Sequence, residues 1–399
     1  TVKPALQRIF TVLAIILFAG VVIVAGVCLP QAVANGALYS YGISDNSRFY
    51  SIFSLIILAP WAFVGFEVTS FDTAHFRFSI KKSKKLIIFA IIGTAFAYAS
   101  MALVSVAAVP EGFSSWQEYI GAIDGLDGVV SVPTFFAARD IMGSAGLVIM
   151  TATAVSAILT GIIGGYRAAN RILSTMAEDR ILSEKFSKTT YSILFIMVIS
   201  ILLSFLGRNT LNWFIDLTSF GAIIGFGYTS AAAWKLAKAE ENRKYTVTGA
   251  VGTVFSVMFV IVQLVPRLSA MEAMGSEAFL FLSLWCLLGF VFYWRTVKVS
   301  TLTEYSGMFV SGVALFVLLV YSALMWLVKK IIAGQSLSEV HAFVTVGSFV
   351  AVSIIFVGMA VMLYVQGVVR KKHDASEREK IHAVESSLAK SQFLFNMSH

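Results

Sequence analysis

Charge is scarce in this sequence. Of 399 residues only 13% are charged, while 58% are hydrophobic and the mean hydropathy is +0.83. That balance excludes an ordinary soluble domain, in which roughly a quarter of the residues are charged. Cysteine is scarcer still: the two that occur, Cys28 and Cys286, lie within or at the edge of apolar runs, which predicts free thiols and excludes a disulfide framework. The first apolar run lacks a small-residue cleavage signature and is followed by further runs, so it is a span and not a secretory leader. Histidine, cysteine and carboxylates form no pattern of metal ligands.

What is present is a series of apolar runs, each of about 20 residues and so long enough to cross ~30 Å of hydrocarbon at ~1.5 Å per residue. Ten are expected: 9–29, 51–76, 86–108, 142–166, 189–206, 211–234, 247–265, 278–294, 306–328 and 341–366. The fold class is therefore all-α, a polytopic membrane protein. Placing the N-terminus in the cytoplasm puts 24 of the 30 lysines and arginines inside and 6 outside. This asymmetry fixes an even number of spans with both termini cytoplasmic, in the inner membrane of a bacterium. The net charge of +8 is then an orientation signal with attraction to anionic lipid, and it requires no nucleic-acid partner.

The second run departs from a plain span. It reads "LIILAPWAFVGFEVTSFDTAHF", with Pro60 and Gly65 bracketing the bilayer midplane and Glu67, Asp72 and His75 on its inner half. Proline lacks a donor and glycine a side chain, so the backbone between them unwinds easily and frees amides and carbonyls for a ligand. A kinked helix with Glu67 in a structural pair accounts for the same residues, and chemistry leaves both readings open. A carboxylate at this depth requires a protein or water partner. Asp72 and His75 fit ordinary solvation at the inner interface.

"PWAFVGFE" resembles the sixth-helix signature of the amino acid, polyamine and organocation (APC) transporter superfamily, close to F/W-x-F-x-G-F/V-E. "NRILSTMAEDRILSEKF" is similar to the loop that follows that family's eighth helix. Arg171, Leu173, Met176, Ala177, Asp179, Leu182 and Phe186 match, whereas Glu178, Arg180 and Ser183 stand where the family usually has Arg, Gly and Pro. The resemblance implies an inverted-repeat, LeuT-like architecture with the ligand between unwound helices one and six. On that alignment the chain begins at family helix five; the first run has Gly20 and Gly26 but no close Gly-x-Gly break. The chain thus holds the second repeat, the last helix of the first, and half of a binding site. By resemblance the half-site is Trp61, Ala62, Phe63, Val64 and Gly65. Backbone groups of Ala62 to Gly65 would meet the amino group of an amino acid or related amine, Trp61 or Phe63 would cover its side chain, and Glu67 would support the helix geometry or a proton path.

Thr151, Thr153, Ser156 and Thr160 place hydroxyls along the fourth run at helical spacing. Relatives that use sodium draw ligands from this helix, which makes Thr153, Ser156 and Thr160 candidates for an ion site; bonding to the i−4 carbonyl is the alternative. Asp216 and Trp213 fit an interfacial role, and Gly161, Gly164, Gly165, Gly221, Gly225 and Gly227 fit close helix packing.

After the last run the composition changes abruptly. Arg370 to Lys372 mark the membrane face, and Ile381, Val384, Leu388 and Phe395 follow at spacings of one helical stripe, a short coiled-coil seam interrupted at Ser391. The terminal "KSQFLFNMSH" resembles the histidine box of sensor kinases, K-S-x-F-L-x-N-M-S-H, through Lys390, Ser391, Phe393, Leu394, Asn396, Met397, Ser398 and His399. The resemblance makes His399 a phosphoacceptor on a helical bundle built from two chains. Its neutral imidazole would attack the γ-phosphate of ATP. ATP and magnesium belong to a kinase domain expected beyond the given sequence; within it no cofactor is expected.

Three segments result: 1–300, a partial permease domain with eight spans; 301–366, an added transmembrane hairpin; and 367–399, a cytoplasmic linker helix with the start of a phosphoacceptor domain. Expected partners are an amino acid or amine ligand, the bilayer, a second copy of the chain through the cytoplasmic helix, and a response regulator or receiver domain. Three functions fit: a transporter-like sensor of a two-component system, an amino acid permease with signalling secondary, or a receptor-like module that no longer binds.

Overall fold

A computed structural model describes residues 4–36, 52, 56, 59–71, 79, 82–207, 210–265, 274–299, 305–333 and 337–397. Among them there is helix and turn but no strand. The chain divides into two compact units, Thr1–Ile52 with Ala62–Arg171, and Phe53–Trp61 with Ile172–His399.

The first unit holds α1 (Pro4–Ala34), the single turn α2 (Val68–Phe71), α3 (Ser83–Val104), the short α4 (Trp116–Gly121) and most of α5 (Pro133–Glu178). Its core is built from small and medium side chains: Val24, Cys28 and Ala32 from α1, Val104, Ala107 and Ala108 at the end of α3, and Ala137, Ala138 and Met150 from α5. In lipid, helices associate by van der Waals packing, so small residues that let backbones approach replace a water-driven core. The crossing of α1 over α5 shows how close the approach is, since a Cβ on Gly20 would lie 1.8 Å from Thr153 Oγ1. Proline at the first helical position starts α5 without losing a bond. The helix is broken at Gly143, whose φ of 65° and ψ of −149° leave the helical region, a conformation open to glycine.

The connection from α3 to α5 is folded rather than loose. Ser115 caps α4 by accepting from the Glu118 N–H at 3.3 Å, and the Glu118 carboxylate accepts from Ser114 N–H at 2.9 Å and Ser114 Oγ at 2.6 Å. This is a capping-box arrangement displaced by one residue. Tyr119 is fully buried, donates to the Val130 carbonyl at 2.6 Å and stacks against Phe113 and Phe136.

The second unit contains α6 (Thr189–Ser204), α7 (Leu211–Ala239), α8 (Arg243–Leu264), α9 (Ser276–Val299), α10 (Tyr305–Ala333) and α11 (Leu337–Met397). The α7–α8 hairpin is tight: a Cβ on Gly249 would stand 2.6 Å from the Trp234 nitrogen, and one on Gly252 2.7 Å from Ser230 Oγ. Around α9 the packing changes character. Phe279, Leu282, Cys286 and Phe290 of α9 interlock with Leu319, Ala323 and Trp326 of α10, Ala351 and Ile354 of α11, and Phe220 of α7. Polar groups fasten one end of this assembly. The Asp216 carboxylate accepts from the Gly275 N–H at 2.9 Å, Lys329 donates to the Met274 carbonyl, and Lys330 pairs with Glu277.

Both non-glycine residues at positive φ among the described ones end helices. Arg180 (φ 59°) follows α5 and Glu241 (φ 55°) follows α7. In each case the next residue donates five back, Ile181 to Met176 and Asn242 to Ala237, both at 2.9 Å. These are Schellman caps, whose left-handed position is ordinarily glycine.

Seven helices among the described residues are long and apolar enough to cross a membrane: 7–34, 83–104, 133–178, 243–264, 276–295, 310–333 and 344–386. They make the chain a polytopic, all-helical membrane protein. Three of the ten expected runs are not among them. Thr189–Ser204 is apolar but only 16 residues long, and α7, at 29 residues, carries Asn212, Asp216 and several serines, threonines and glycines that dilute its hydropathy. The run at 51–76 is described only at 52, 56 and 59–71. The remainder differ at their edges: the motif from Asn170 to Glu178, expected as loop, is the last turns of α5, and the third run ends at Val104 because 105–108 form turns.

Candidate functional site

The segment 59–71 is helical over 59–62, turns over 63–67, and resumes as α2. The expected break between Pro60 and Gly65 is thus centred on Gly65, with Pro60 inside the helical stretch. Gly65 has φ of 122°, in a region closed to most side chains. A Cβ there would meet nothing within 4 Å, so the constraint is conformational and not one of crowding.

Three contacts hold the break. The Gly65 N–H donates to Glu67 Oε2 at 2.9 Å, closing a two-residue ring around the non-helical peptide. Tyr98 of α3 donates from its hydroxyl to the Ala62 carbonyl at 2.8 Å, and its ring meets Phe63 edge-on with centroids 6.0 Å apart. The chain re-enters helix as the Val68 N–H bonds the Gly65 carbonyl at 3.2 Å and the Ser70 N–H the Glu67 carbonyl at 2.8 Å. Val64 is 41% exposed, and Ala62, Phe63 and Glu67 are half-buried. Trp61, which groups with the second unit, is also 41% exposed. A backbone that leaves the helical path gives up its regular i+4 pairing and offers carbonyl oxygens to a donor, the chemistry an ammonium group requires.

Tyr98 was not among the residues singled out from the sequence. Its signal was there: a phenol hydroxyl inside an apolar run, which must find an acceptor when it leaves water.

The hydroxyls of α5 are occupied locally. Thr153 Oγ1 and Thr160 Oγ1 donate to the carbonyls of Ile149 and Ser156, each at 2.7 Å, and Thr151 does the same to Leu147. Thr153 and Ser156 are buried, and Thr153 faces Gly20 of α1 at the helix crossing. Donation leaves an oxygen lone pair on each hydroxyl, and the three residues share one helix. Among the described residues no three of His, Cys, Asp or Glu are grouped to hold a metal.

At the other end of the chain α11 runs for 61 residues without a break, from the membrane through Met397. His399 and Ser398 lie outside the described residues, as do Asp72 and His75. Ile381 and Val384 of the expected seam are 55% and 59% exposed.

A family model described as amino acid permease matches residues 3–292. The chain belongs to the amino acid permease family. No curated protein and no solved structure matches it. The permease match takes in α1 to α8 and α9 as far as residue 292, including the broken segment and the Schellman cap at Arg180, and it supports a transporter of the APC superfamily. The α10–α11 pair, with the polar end of α11, lies beyond it.

Proposed function

We propose that this permease-family chain is the membrane sensor of a two-component system. An amino acid or related amine binds at Trp61 to Gly65, and the change is relayed through α10 and α11 to His399. The observation that carries this reading is the unbroken course of α11 from the hairpin into the histidine box. In the site, the ligand's ammonium group donates to backbone carbonyls between Ala62 and Gly65, while Phe63 and Trp61 cover its side chain. Glu67 holds the Gly65 amide and so keeps the carbonyls turned out of helical register. At the far end, neutral His399 attacks the γ-phosphorus of ATP, the bond to the bridging oxygen breaks, and ADP leaves. A kinase domain supplies ATP and magnesium, a second copy of the chain pairs through the cytoplasmic helix, and a response regulator or receiver domain takes the phosphoryl group. Both termini face the cytoplasm of a bacterial cell.

The test is labelling of the full-length protein in liposomes with radiolabelled ATP, wild type against His399→Gln, with amino acids added in turn. Label confined to wild type, at a rate one amino acid alters, supports sensing. Equal label on the variant removes His399 from the reading.

The family match itself favours a second function, transport with signalling secondary. Uptake of a radiolabelled amino acid into the same liposomes, lost in Phe63→Ala, would support it. A sodium dependence of uptake altered by Thr160→Val would place Thr153, Ser156 and Thr160 at an ion site.

A further inference from the structure

A cleft of about 700 Å³ opens where the end of α1, the turns after α3, the start of α4 and the first turns of α5 meet. All of it lies within the first unit, at the end of α3 opposite Lys84 and Lys85. Its walls carry Gln31, Asn35, Ser115, Trp116, Gln117 and Asp140. Two bonds fix its shape: Asn35 Nδ2 donates to the Ala107 carbonyl at 2.8 Å, joining α1 to the turns after α3, and the buried Tyr119 hydroxyl holds Val130.

The charge lining is one-sided. Asp140 is the only acidic side chain on the walls, and no lysine or arginine lines them. A second carboxylate stands just behind: Glu118 accepts both hydrogen bonds of Ser114, another wall residue, and these hold its carboxyl below the ordinary carboxylate range. Asp140 also sits in the last turn of the outer piece of α5, 133–142, which the break at Gly143 ends. The C-terminal end of a helical piece carries partial negative charge, so backbone and side chain favour the same sign of ligand. Trp116 adds an aromatic ring, a surface that attracts a desolvated ammonium. The neutral amides and hydroxyls of Gln31, Gln117 and Ser115 suit the remaining polar groups of a small amine or amino acid.

We propose that this cleft is a second, outer binding site for a primary ammonium group, with Asp140 as its counter-charge. It rests on the reading of the chain as an amine-binding permease and assigns the ligand a station distinct from Ala62 to Gly65.

The test uses the chain in lipid nanodiscs with Gln117→Cys as a reporter on the wall; Cys28 and Cys286 are buried, and the chain without the added cysteine gives their background. Ethylammonium methanethiosulfonate should modify the reporter about tenfold faster than the ethylsulfonate reagent, as a focused negative field predicts. Asp140→Asn should bring the two rates together. n-Butylamine should protect the reporter and butyrate should not, with protection lost in Asp140→Asn and retained in Gly65→Leu. Equal rates, or protection that survives Asp140→Asn, would overturn the site. Protection lost equally in Gly65→Leu would also overturn it, because the reporter would then be sensing the broken segment. If Asp140-dependent protection holds while no amino acid is taken up or changes labelling, the sensor and transport readings fail and the cleft stands.

Discussion

The broken segment at 63–67 and the α9–α10–α11 assembly are held together by different means. The first is fixed by hydrogen bonds aimed at backbone: Glu67 on the Gly65 amide, Tyr98 on the Ala62 carbonyl. The second is fixed by side-chain volume, with Phe279, Phe290 and Leu319 almost wholly buried. On the proposed reading the first presents its own backbone to a ligand and cannot cover itself with side chains, so it depends on a few directed bonds and an unusual dihedral angle. An assembly that carries a long helix needs no open surface and uses packing throughout. Changes in the first should therefore alter binding more than stability, and changes in the second the reverse.

The largest expected effect tests the packed side. Phe290→Ala should destabilise the chain by about 3 kcal/mol through the cavity it leaves, read as a lowered unfolding temperature in detergent. Amino acid binding per folded molecule should be unchanged; if binding falls in step with stability, the two regions act as one and the contrast disappears.

A pair of backbone changes comes next. Gly65→Leu should abolish amino acid binding, since its side chain would stand where backbone must meet the ligand, and should lower stability by about 1–2 kcal/mol through the strain of an L-residue at that φ, less than Phe290→Ala. Unaltered affinity in that variant would mean that the ligand does not depend on this dihedral. Arg180→Gly is the converse: relieving a left-handed arginine at the Schellman cap should raise stability by about 1 kcal/mol, measured in the same melts.

Tyr98→Phe removes one directed bond and keeps the ring against Phe63. It should weaken ligand binding by roughly fivefold, the equivalent of about 1 kcal/mol for one hydrogen bond, and an affinity equal to wild type would show that Tyr98 does not hold the break.

The smallest effect is one of pH on the polar end of α11. Lys380 Nζ lies 3.0 Å from Glu377 Oε1, and that bond holds the glutamate below its ordinary value. A carboxyl lowered in the folded state contributes stability above its unfolded pKa and loses it as pH falls through the folded one. Helicity of an isolated 367–399 peptide, followed by circular dichroism, should decline slightly through the acidic range in wild type and less so in Lys380→Gln.

Much of this was legible in sequence because the bilayer imposes a simple rule. Seven of the ten apolar runs correspond to helices long enough to span, since hydropathy and helix length are set by the same slab of hydrocarbon. The rule is silent outside the slab. It did not show that α5 begins at Pro133 and continues to Glu178, because polar helical turns carry no hydropathy signal. The break around Gly65 was legible from Pro60 and Gly65, but its centre was not, because only the dihedral angle of Gly65 shows which of the two leaves the helical path. The departure of Arg180 from the family's glycine was visible in the motif, whereas its meaning required the dihedral angle. The cleft in the first unit had no sequence signature at all. Its residues come from four separate stretches, and Asp140 became notable only when the fold placed it on one wall with Gln31, Asn35 and Trp116.

On the proposed sensor reading, the unbroken course of α11 serves as a torsion shaft. At ~1.5 Å per residue its 61 residues reach about 90 Å, and a turn applied at the membrane end arrives at the tail with its phase intact. Each residue advances the phase by about 100°, while seven return it to within about 20°. One residue inserted after Lys372 would therefore swing the terminal KSQFLFNMSH segment by about 100° round the helix axis, and seven would lengthen the helix while leaving that direction nearly unchanged.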